Sequence, residues 1–323
     1  MKLFWWIPIP ELETGTRQRL VWVLAAILLL ILSRLTWQPL FQGPVVDFID
    51  VGQGDATFIR TEAGQTLLID GGDRTPFMDY GRAVVTPFLL GHGVSHLDYV
   101  IITHFDSDHM GGLFHVTEQI GVGEILLPYY PSVKSLESEF IAHARTLDIP
   151  MRRIARGDDI LLAGADSIEV LHPPATGWET RSDNEQSLVF RLRWRGLDIL
   201  LPGDAEQNAE AAVARLDCQA EILKAGHHGS HTSTSAPFLE VVDPRYVVVS
   251  TRSSPNRHGV HPSVRQRIEA RGIPIWRTDF HGGIRIRPQG EGHEIQGARH
   301  ERGYSLDPER LSPSRLVVSP ASS

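Results

Sequence analysis

Apolar and polar positions divide this chain into three stretches. Residues 20–32 form a run with no polar side chain. With Leu35 and Trp37 the run reaches about the length of a helix that crosses a bilayer core. From residue 45 onward the apolar segments are short and punctuated by turns. Residues 45–51, 56–60 and 66–69 predict strands of a meander. Residues 83–90 have helical spacing, and 99–103 read as a buried strand. Residues 133–147 predict an exposed helix that ends before Pro150. Strands are then expected over 167–171, 188–194 and 197–201, and an Ala-rich helix over 205–216 with Glu206 in its first turn. The strands 221–225 and 246–250 alternate with helices at 237–242 and 263–271. After Pro288 the sequence is polar and rich in Gly, Pro, Ser and Arg, so 289–323 reads as a mostly disordered tail. The pattern is that of an α/β domain over 45–288, behind a short Pro/Gly linker at 38–44.

The apolar run is compatible with a signal peptide or an uncleaved anchor. Ser33-Arg34-Leu35-Thr36-Trp37 offers no small-residue cleavage site, and Trp5, Trp6, Trp22 and Trp37 suit a membrane interface, which favours an anchor over 20–37. Lys2, Arg17 and Arg19 precede the run and Arg34 follows it. The positive-inside tendency therefore leaves 1–19 in the cytoplasm or at its interface. The expected location is the cell membrane, single-pass, with the following domain outside the cytoplasm. The whole chain carries 31 Lys+Arg against 39 Asp+Glu, a formal charge of −8. An acidic average argues against a broad electrostatic grip on nucleic acid, leaving local arginine groups as the basic surface. The single Cys218 excludes an intrachain disulfide and a thiolate metal cluster.

Candidate chemistry is concentrated after the 99–103 strand, in Thr103-His104-Phe105-Asp106-Ser107-Asp108-His109-Met110-Gly111-Gly112. Two imidazoles and two carboxylates on one turn can feed two cation positions: 104 and 106 share a face of an extended segment, and 108 and 109 lie past the bend. Asp204 closes another strand in a Pro-Gly-Asp turn, and His227-His228 closes a third. On an extended chain adjacent side chains point opposite ways, so one of this pair is expected to be a ligand. His227 is taken as the ligand and His228 as an acid or substrate contact, the reverse being equally defensible.

Together with Asp47-Phe48-Ile49-Asp50-Val51-Gly52-Gln53-Gly54-Asp55-Ala56, Leu68-Ile69-Asp70-Gly71-Gly72, Ser187-Leu188-Val189, Leu200-Leu201-Pro202-Gly203-Asp204-Ala205 and Leu223-Lys224-Ala225-Gly226-His227-His228-Gly229-Ser230, that loop resembles a metallo-β-lactamase-superfamily hydrolase. Asp106 stands where the superfamily signature usually has its second histidine. With that exchange the ordered set resembles the C-terminal hydrolase domain of ComEC-type competence proteins, over about residues 45–287. The resemblance implies an αββα sandwich, here preceded by one transmembrane helix, and two divalent ions held by His104, Asp106, Asp108, His109, Asp204 and His227. It makes Asp204 the bridging carboxylate and assigns Asp108 and His228 to catalysis. Asp70 is expected to orient a ligand histidine, and Asp55 either to do the same or to cap its turn. Lys224 and His261 are placed around the site or at its mouth. Asn184 lies where the superfamily often has another ligand histidine, and His172 is the nearest alternative. Carboxylate in place of imidazole makes the site harder, moving preference from Zn²⁺ towards Mn²⁺.

The implied activity is a phosphodiesterase acting on DNA; the alternative is hydrolysis of a small ester or phosphodiester, as in phosphorylcholine esterase-like members. Single-stranded DNA and a separate polytopic channel protein are the expected partners, since the channel that usually precedes this domain is not in the sequence. A reading of another class is a metal-stabilised interaction module at the membrane face.

Overall fold

A strand covered on both faces must be apolar on both sides, as Leu67, Leu68 and Ile69 are. The structure, a computed structural model, describes residues 14–37, 43–164, 166–179, 181–254, 257–290, 292–299 and 315–318. The chain divides into two units, Met1–Gln42 and Gly43–Ser323.

In the first unit the backbone is helical over α1, Thr14–Trp37. Among the described residues, no helix is long and apolar enough to cross a membrane. The described side chains of the apolar run, including Val21, Trp22, Leu24, Leu28 and Leu29, are exposed. Residues 1–13 and 38–42, which include parts of the expected N-terminal segment and linker, lie outside the described residues.

The second unit contains two large sheets. In chain order its strands are β1 Val45–Phe48, β2 Thr57–Arg60, β3 Thr66–Ile69, β4 His96–Ile101, β5 Gly121–Pro128, β6 Met151–Ile154, β7 Ile160–Leu161, β8 Ser167–His172 and β9 Val189–Trp194. There follow β10 Leu197–Leu201, β11 Ile222–Lys224, β12 Tyr246–Val249, β13 Ser253–Ser254, β14 Arg257–His258, β15 Ile275–Arg277, β16 Ile284–Gln289, β17 Gly292–Gly297 and β18 Arg315–Val318. One sheet has the order β18-β17-β16-β1-β2-β3-β4-β5-β6, the other β15-β12-β11-β10-β9-β8-β7. Each joins an antiparallel part to a parallel one: β3, β4, β5 and β6 run parallel in the first, and β10, β11, β12 and β15 in the second. The parallel strands matter most here, because their carboxyl ends present loops on one edge of each sheet.

Alternation sorts the strand residues into layers. Ile59, Leu67 and Ile69 face the layer between the sheets, where they meet Phe190, Trp194, Ile199, Leu201, Ile222 and Trp276. Their neighbours Phe58 and Leu68 pack outward with Leu89, Leu113, Val116 and Phe140, under α2 Thr86–Gly91, α4 Leu113–Gln119 and α5 Ser135–Thr146. The outer face of the second sheet is covered likewise by Ala209, Val213, Phe238, Leu239, Val264 and Ile268, from α6 Gln207–Val213, α7 Ala236–Val242 and α8 Pro262–Glu269. Two short helices, α3 Ser107–Met110 and α9 Thr278–His281, complete the set. The layers are helix, sheet, sheet and helix, as the αββα expectation requires.

Several elements differ from the sequence reading, among them β6, β7 and β15, which it did not anticipate. β17 pairs residue by residue with β16 across the expected start of the tail at 289, and β18 pairs with β17. Gly292-His293-Glu294-Ile295-Gln296-Gly297 has one strongly apolar residue, so no alternation was visible. Ile295 nevertheless enters the layer between the sheets. β5 was also missed, because its apolar part is limited to Ile125-Leu126-Leu127.

Candidate metal centre

The centre is built where three parallel strands end. After β4 the chain stays extended to Asp106, whose φ of −83° and ψ of 148° precede the first residue of α3. His104 and Asp106 therefore leave the backbone before the helix, while Asp108 and His109 lie within it. The loop fits tightly against its neighbours. Gly54, at φ 149°, lies so close that a Cβ would stand 2.4 Å from the Asp108 carbonyl oxygen, which also accepts the Asp55 N–H at 3.1 Å. Asp204 follows β10, and the histidine pair follows β11 in a single turn, Gly226–Gly229.

Four imidazoles converge on Asp204. His109 Nε2 is 3.2 Å from Asp204 Oδ1 and 3.2 Å from His228 Nε2. His228 Nε2 lies 3.3 Å from Asp108 Oδ2 and 3.5 Å from Asp204 Oδ2. Donors at about 2.0–2.2 Å from a tetrahedral ion stand roughly 3.3–3.6 Å apart, so these separations suit one small cation. On the other side of Asp204, His104 Nε2 is 4.0 Å and His227 Nε2 3.7 Å from Oδ2. His104 Nε2 is also 3.9 Å from Asp106 Oδ2. This second group is wider and more open.

The ring nitrogens facing away from Asp204 are tied to the protein. Asp70 accepts from His109 Nδ1 at 2.8 Å, from the Thr103 N–H at 2.9 Å and from the Thr103 hydroxyl at 2.7 Å. Thr103 Oγ1 is in turn 3.2 Å from His104 Nδ1. His228 Nδ1 donates to the Ser250 carbonyl at 3.2 Å. Bonds of this kind select the tautomer that leaves the Nε2 lone pair free for a metal. Asp55 lies behind the rings, its oxygens 3.8 Å from His109 Nδ1 and 3.7 Å from His228 Nδ1. The buried Lys224 ammonium stands 2.5 Å from Asp55 Oδ2. Asp55, His109, Asp204 and His228 form a buried group whose potential donor atoms lie within 4.8 Å of one another. Asp108, however, shares the Nε2 side with the two rings, whereas Asp55 faces their Nδ1 side and is neutralised by Lys224. Asp108 is therefore the better fourth donor.

Charge and burial point the same way. Burial alone would raise the Asp204 carboxyl, but His228, His109 and His104 outweigh it and hold it well below the usual range. Asp108 is likewise lowered against its burial by His228 and His109. Burial opposes protonation of His109, yet Asp204 and Asp70 raise it well above its ordinary value; His228 is also raised, by Asp204 and Asp55. His104 is pushed down to about 4, first by burial and then by His109. Its Nε2 and one oxygen each of Asp204 and Asp55 are buried without a hydrogen-bond partner. Buried lone pairs without donors, set among ionised carboxylates, fit a divalent cation of the Zn²⁺ or Mn²⁺ kind.

His104, Asp106, Asp108, His109, Asp204, His227 and His228 are thus brought to one place, with Asp55, Asp70 and Lys224 around them. Both members of the histidine pair lie within 3.7 Å of Asp204, where one ligand was expected. His228 is buried among the donors, and His227 is 30 % exposed, with Nδ1 near Thr232 Oγ1 at 3.2 Å and Glu206 Oε1 at 3.4 Å. Both residues have left-handed backbones, φ 47° and 53°, so the alternation of an extended strand does not apply to them. Asn184 begins a short turn, Asn184–Gln186, and no hydrogen bond joins its side chain to a candidate ligand among the described residues. His172 is turned to the Glu185 carbonyl, 2.8 Å from Nε2. His261 caps α8, accepting the Ser263 N–H at 3.3 Å. Sequence reasoning missed Thr103, which links two histidines to Asp70, and Lys134, whose ammonium contacts Asp106 and lies 3.3 Å from Asp183 Oδ2. Thr103 was visible in the motif; Lys134, far along the chain from Asp106, carried no local signal.

Fold and donor set are those of the metallo-β-lactamase type. A sequence profile of the metallo-beta-lactamase superfamily matches residues 49–253, and the chain belongs to that superfamily. ComE operon protein 3 of Bacillus subtilis is 30 % identical over 257 residues, which is 75 % of this chain and 33 % of that protein. Competence protein ComA of Neisseria gonorrhoeae is 30 % identical over 240 residues, 73 % of this chain and 31 % of that protein. The chain spans about a third of the length of these curated relatives, in keeping with the competence-protein resemblance of its motifs. Among solved structures, a variant of CmlA beta-hydroxylase superposes with a TM-score of 0.50 at 15 % identity, covering 76 % of this chain and 54 % of that one. At that identity the likeness concerns the fold alone.

Proposed function

We propose that this chain is a two-ion phosphodiesterase that cleaves DNA, preferably single-stranded, at a membrane during DNA uptake. The observation that carries the reading is the convergence of the His109 and His228 Nε2 lone pairs with the Asp108 and Asp204 carboxylates, at separations of 3.2–3.5 Å on one side of Asp204. In this reading Asp108, His109 and His228 would hold one ion and His104, Asp106 and His227 the other, with Asp204 lying between the two groups. Two such ions would supply Lewis-acid stabilisation of phosphoryl oxygens and a lowered pKa for water. Asp70, Thr103 and Ser250 keep the imidazoles aimed, so that little reorganisation is needed when substrate arrives. His227 is the more exposed histidine, and together with Glu206 it is placed to bind or to move a proton on the leaving group's side.

The link to DNA uptake rests on the competence name of one relative and on motif resemblance, and it extends to a separate channel protein as partner. The membrane anchor over 20–37, with the domain outside the cytoplasm, rests on the sequence: an apolar run, its aromatic flanks and its basic residues.

The test compares two substrates with chelator-stripped protein reloaded with Mn²⁺, Zn²⁺ or Mg²⁺. Cleavage of labelled single-stranded DNA that returns with Mn²⁺ or Zn²⁺ is the expected result. Turnover of a chromogenic phosphodiester with no DNA cleavage would shift the substrate to a small ester. Absence of both activities with ions bound would leave the interaction-module reading in its place.

A further inference from the structure

We infer that Lys134 is the group that grips a phosphate of the substrate at the open end of the centre, an inference that rests on the phosphodiesterase reading. The chain has three lysines, Lys2, Lys134 and Lys224, among 31 basic residues. Two of the three touch carboxylates of the centre or its backing, which is where a compact ammonium with rotatable donors differs most from a planar guanidinium. Their settings are opposite. Lys224 is buried against Asp55, whereas Lys134 is 45 % exposed and reaches Asp106 from the solvent side.

The segment before α5 fixes the base of Lys134 while leaving its side chain partly exposed. Its own N–H donates to Ser132 Oγ at 3.0 Å, and the Ser132 hydroxyl donates to Asp183 Oδ2 at 2.6 Å. Lys134 Nζ stands between Asp183 Oδ2 and Asp106 Oδ1. The other Asp106 oxygen faces His104, so Asp106 is shared between the donor cluster and the lysine. A cation held by Asp106 and His104 would draw on the same carboxylate charge and repel the ammonium. Lys134 can then turn towards an anion arriving above the centre, keeping Asp183 as its second partner. The chain carries a formal charge of −8, so an anionic substrate needs such a local cation at the mouth.

The test uses the full chain in detergent, as wild type, Lys134→Met and Lys134→Arg. Calorimetric titration of chelator-stripped protein with Mn²⁺ reads the ions alone. Titration of Mn²⁺-loaded protein with inorganic phosphate reads the anion, and bis(4-nitrophenyl) phosphate reads turnover. Lys134→Met should bind Mn²⁺ as tightly as wild type or more tightly, because a competing cation is gone. Its phosphate affinity should fall about 10- to 100-fold, the range of one charge-assisted hydrogen bond, with the loss in turnover mainly in KM. Lys134→Arg should recover part of both. Weaker Mn²⁺ binding in step with lost turnover would make Lys134 a mere support for Asp106 and overturn the inference, as would unchanged phosphate affinity. If wild type binds phosphate through Lys134 but turns over no diester, the anion role stands and the phosphodiesterase reading falls.

Discussion

The two sides of Asp204 differ in how finished they are. On the His109–His228 side the rings are buried, their far nitrogens are anchored to Asp70 and Ser250, and the donor separations are already near 3.3 Å. On the His104–Asp106 side the corresponding distances are 3.7–4.0 Å, His227 is partly exposed, and a lysine holds one Asp106 oxygen. The first side is organised by the fold itself; on the second the fold holds His104 but leaves Asp106 and His227 partly exposed. That contrast predicts a tight ion position and a weaker, more exchangeable one next to the substrate.

Asp204→Ala should break both sides at once. Ion content should fall at both positions, and cleavage should drop by several powers of ten, because the loss removes charge stabilisation as well as geometry. Elemental analysis giving full occupancy in this variant would contradict the sharing of Asp204. The next largest effect separates the sides: His228→Ala should lose the tight ion, with turnover falling about 10²- to 10³-fold, whereas His227→Ala should keep it and lose about 10-fold. Equal ion loss in the two variants would erase the distinction between them.

Asp70→Asn should preserve the shape of the pocket but loosen His109, lowering affinity at the tight position about 10- to 100-fold, the usual scale for an outer hydrogen-bond partner. Titration of the weaker position should change much less.

The smallest effect concerns His172, which the structure removes from the open side. Burial pushes its imidazole down to about 4. Folding thus favours the neutral ring, and the stability this confers is complete above the unfolded value near 6.5 and lost as pH falls from there through 4. The window is worth about 3 kcal/mol for a shift of this size. Urea unfolding of ion-free wild-type and His172→Gln protein at pH 7.5, 5.5 and 4.5 should show a flatter pH response in the variant. An unchanged slope, or loss of ion binding in the variant, would return His172 to the candidate ligands.

What could be read from the sequence follows the same division. His104, Asp106, Asp108 and His109 are contiguous, so one loop revealed four donors, and the apolar strands before Asp204 and His227-His228 located the rest. The αββα layers could be named through the motifs, while periodicity alone reached only an α/β domain. What escaped depends on backbone twist or distance along the chain. Left-handed residues at 227 and 228 bring both histidines near Asp204, where alternation on an extended chain allowed only one. Lys134 meets Asp106 and Asp183 only through tertiary packing. β17 carries a single apolar anchor, Ile295, in a polar stretch, so its pairing with β16 could not be anticipated.

The most direct test of the two-sided centre is cleavage of single-stranded DNA during stepwise Mn²⁺ reloading of stripped wild-type and Asp204→Ala protein. The wild type should remain inactive as the tight position fills and gain cleavage as the weaker one fills, with Asp204→Ala inactive throughout. Cleavage by Asp204→Ala protein at a rate near wild type, or full wild-type cleavage before any ion is added, would contradict the account.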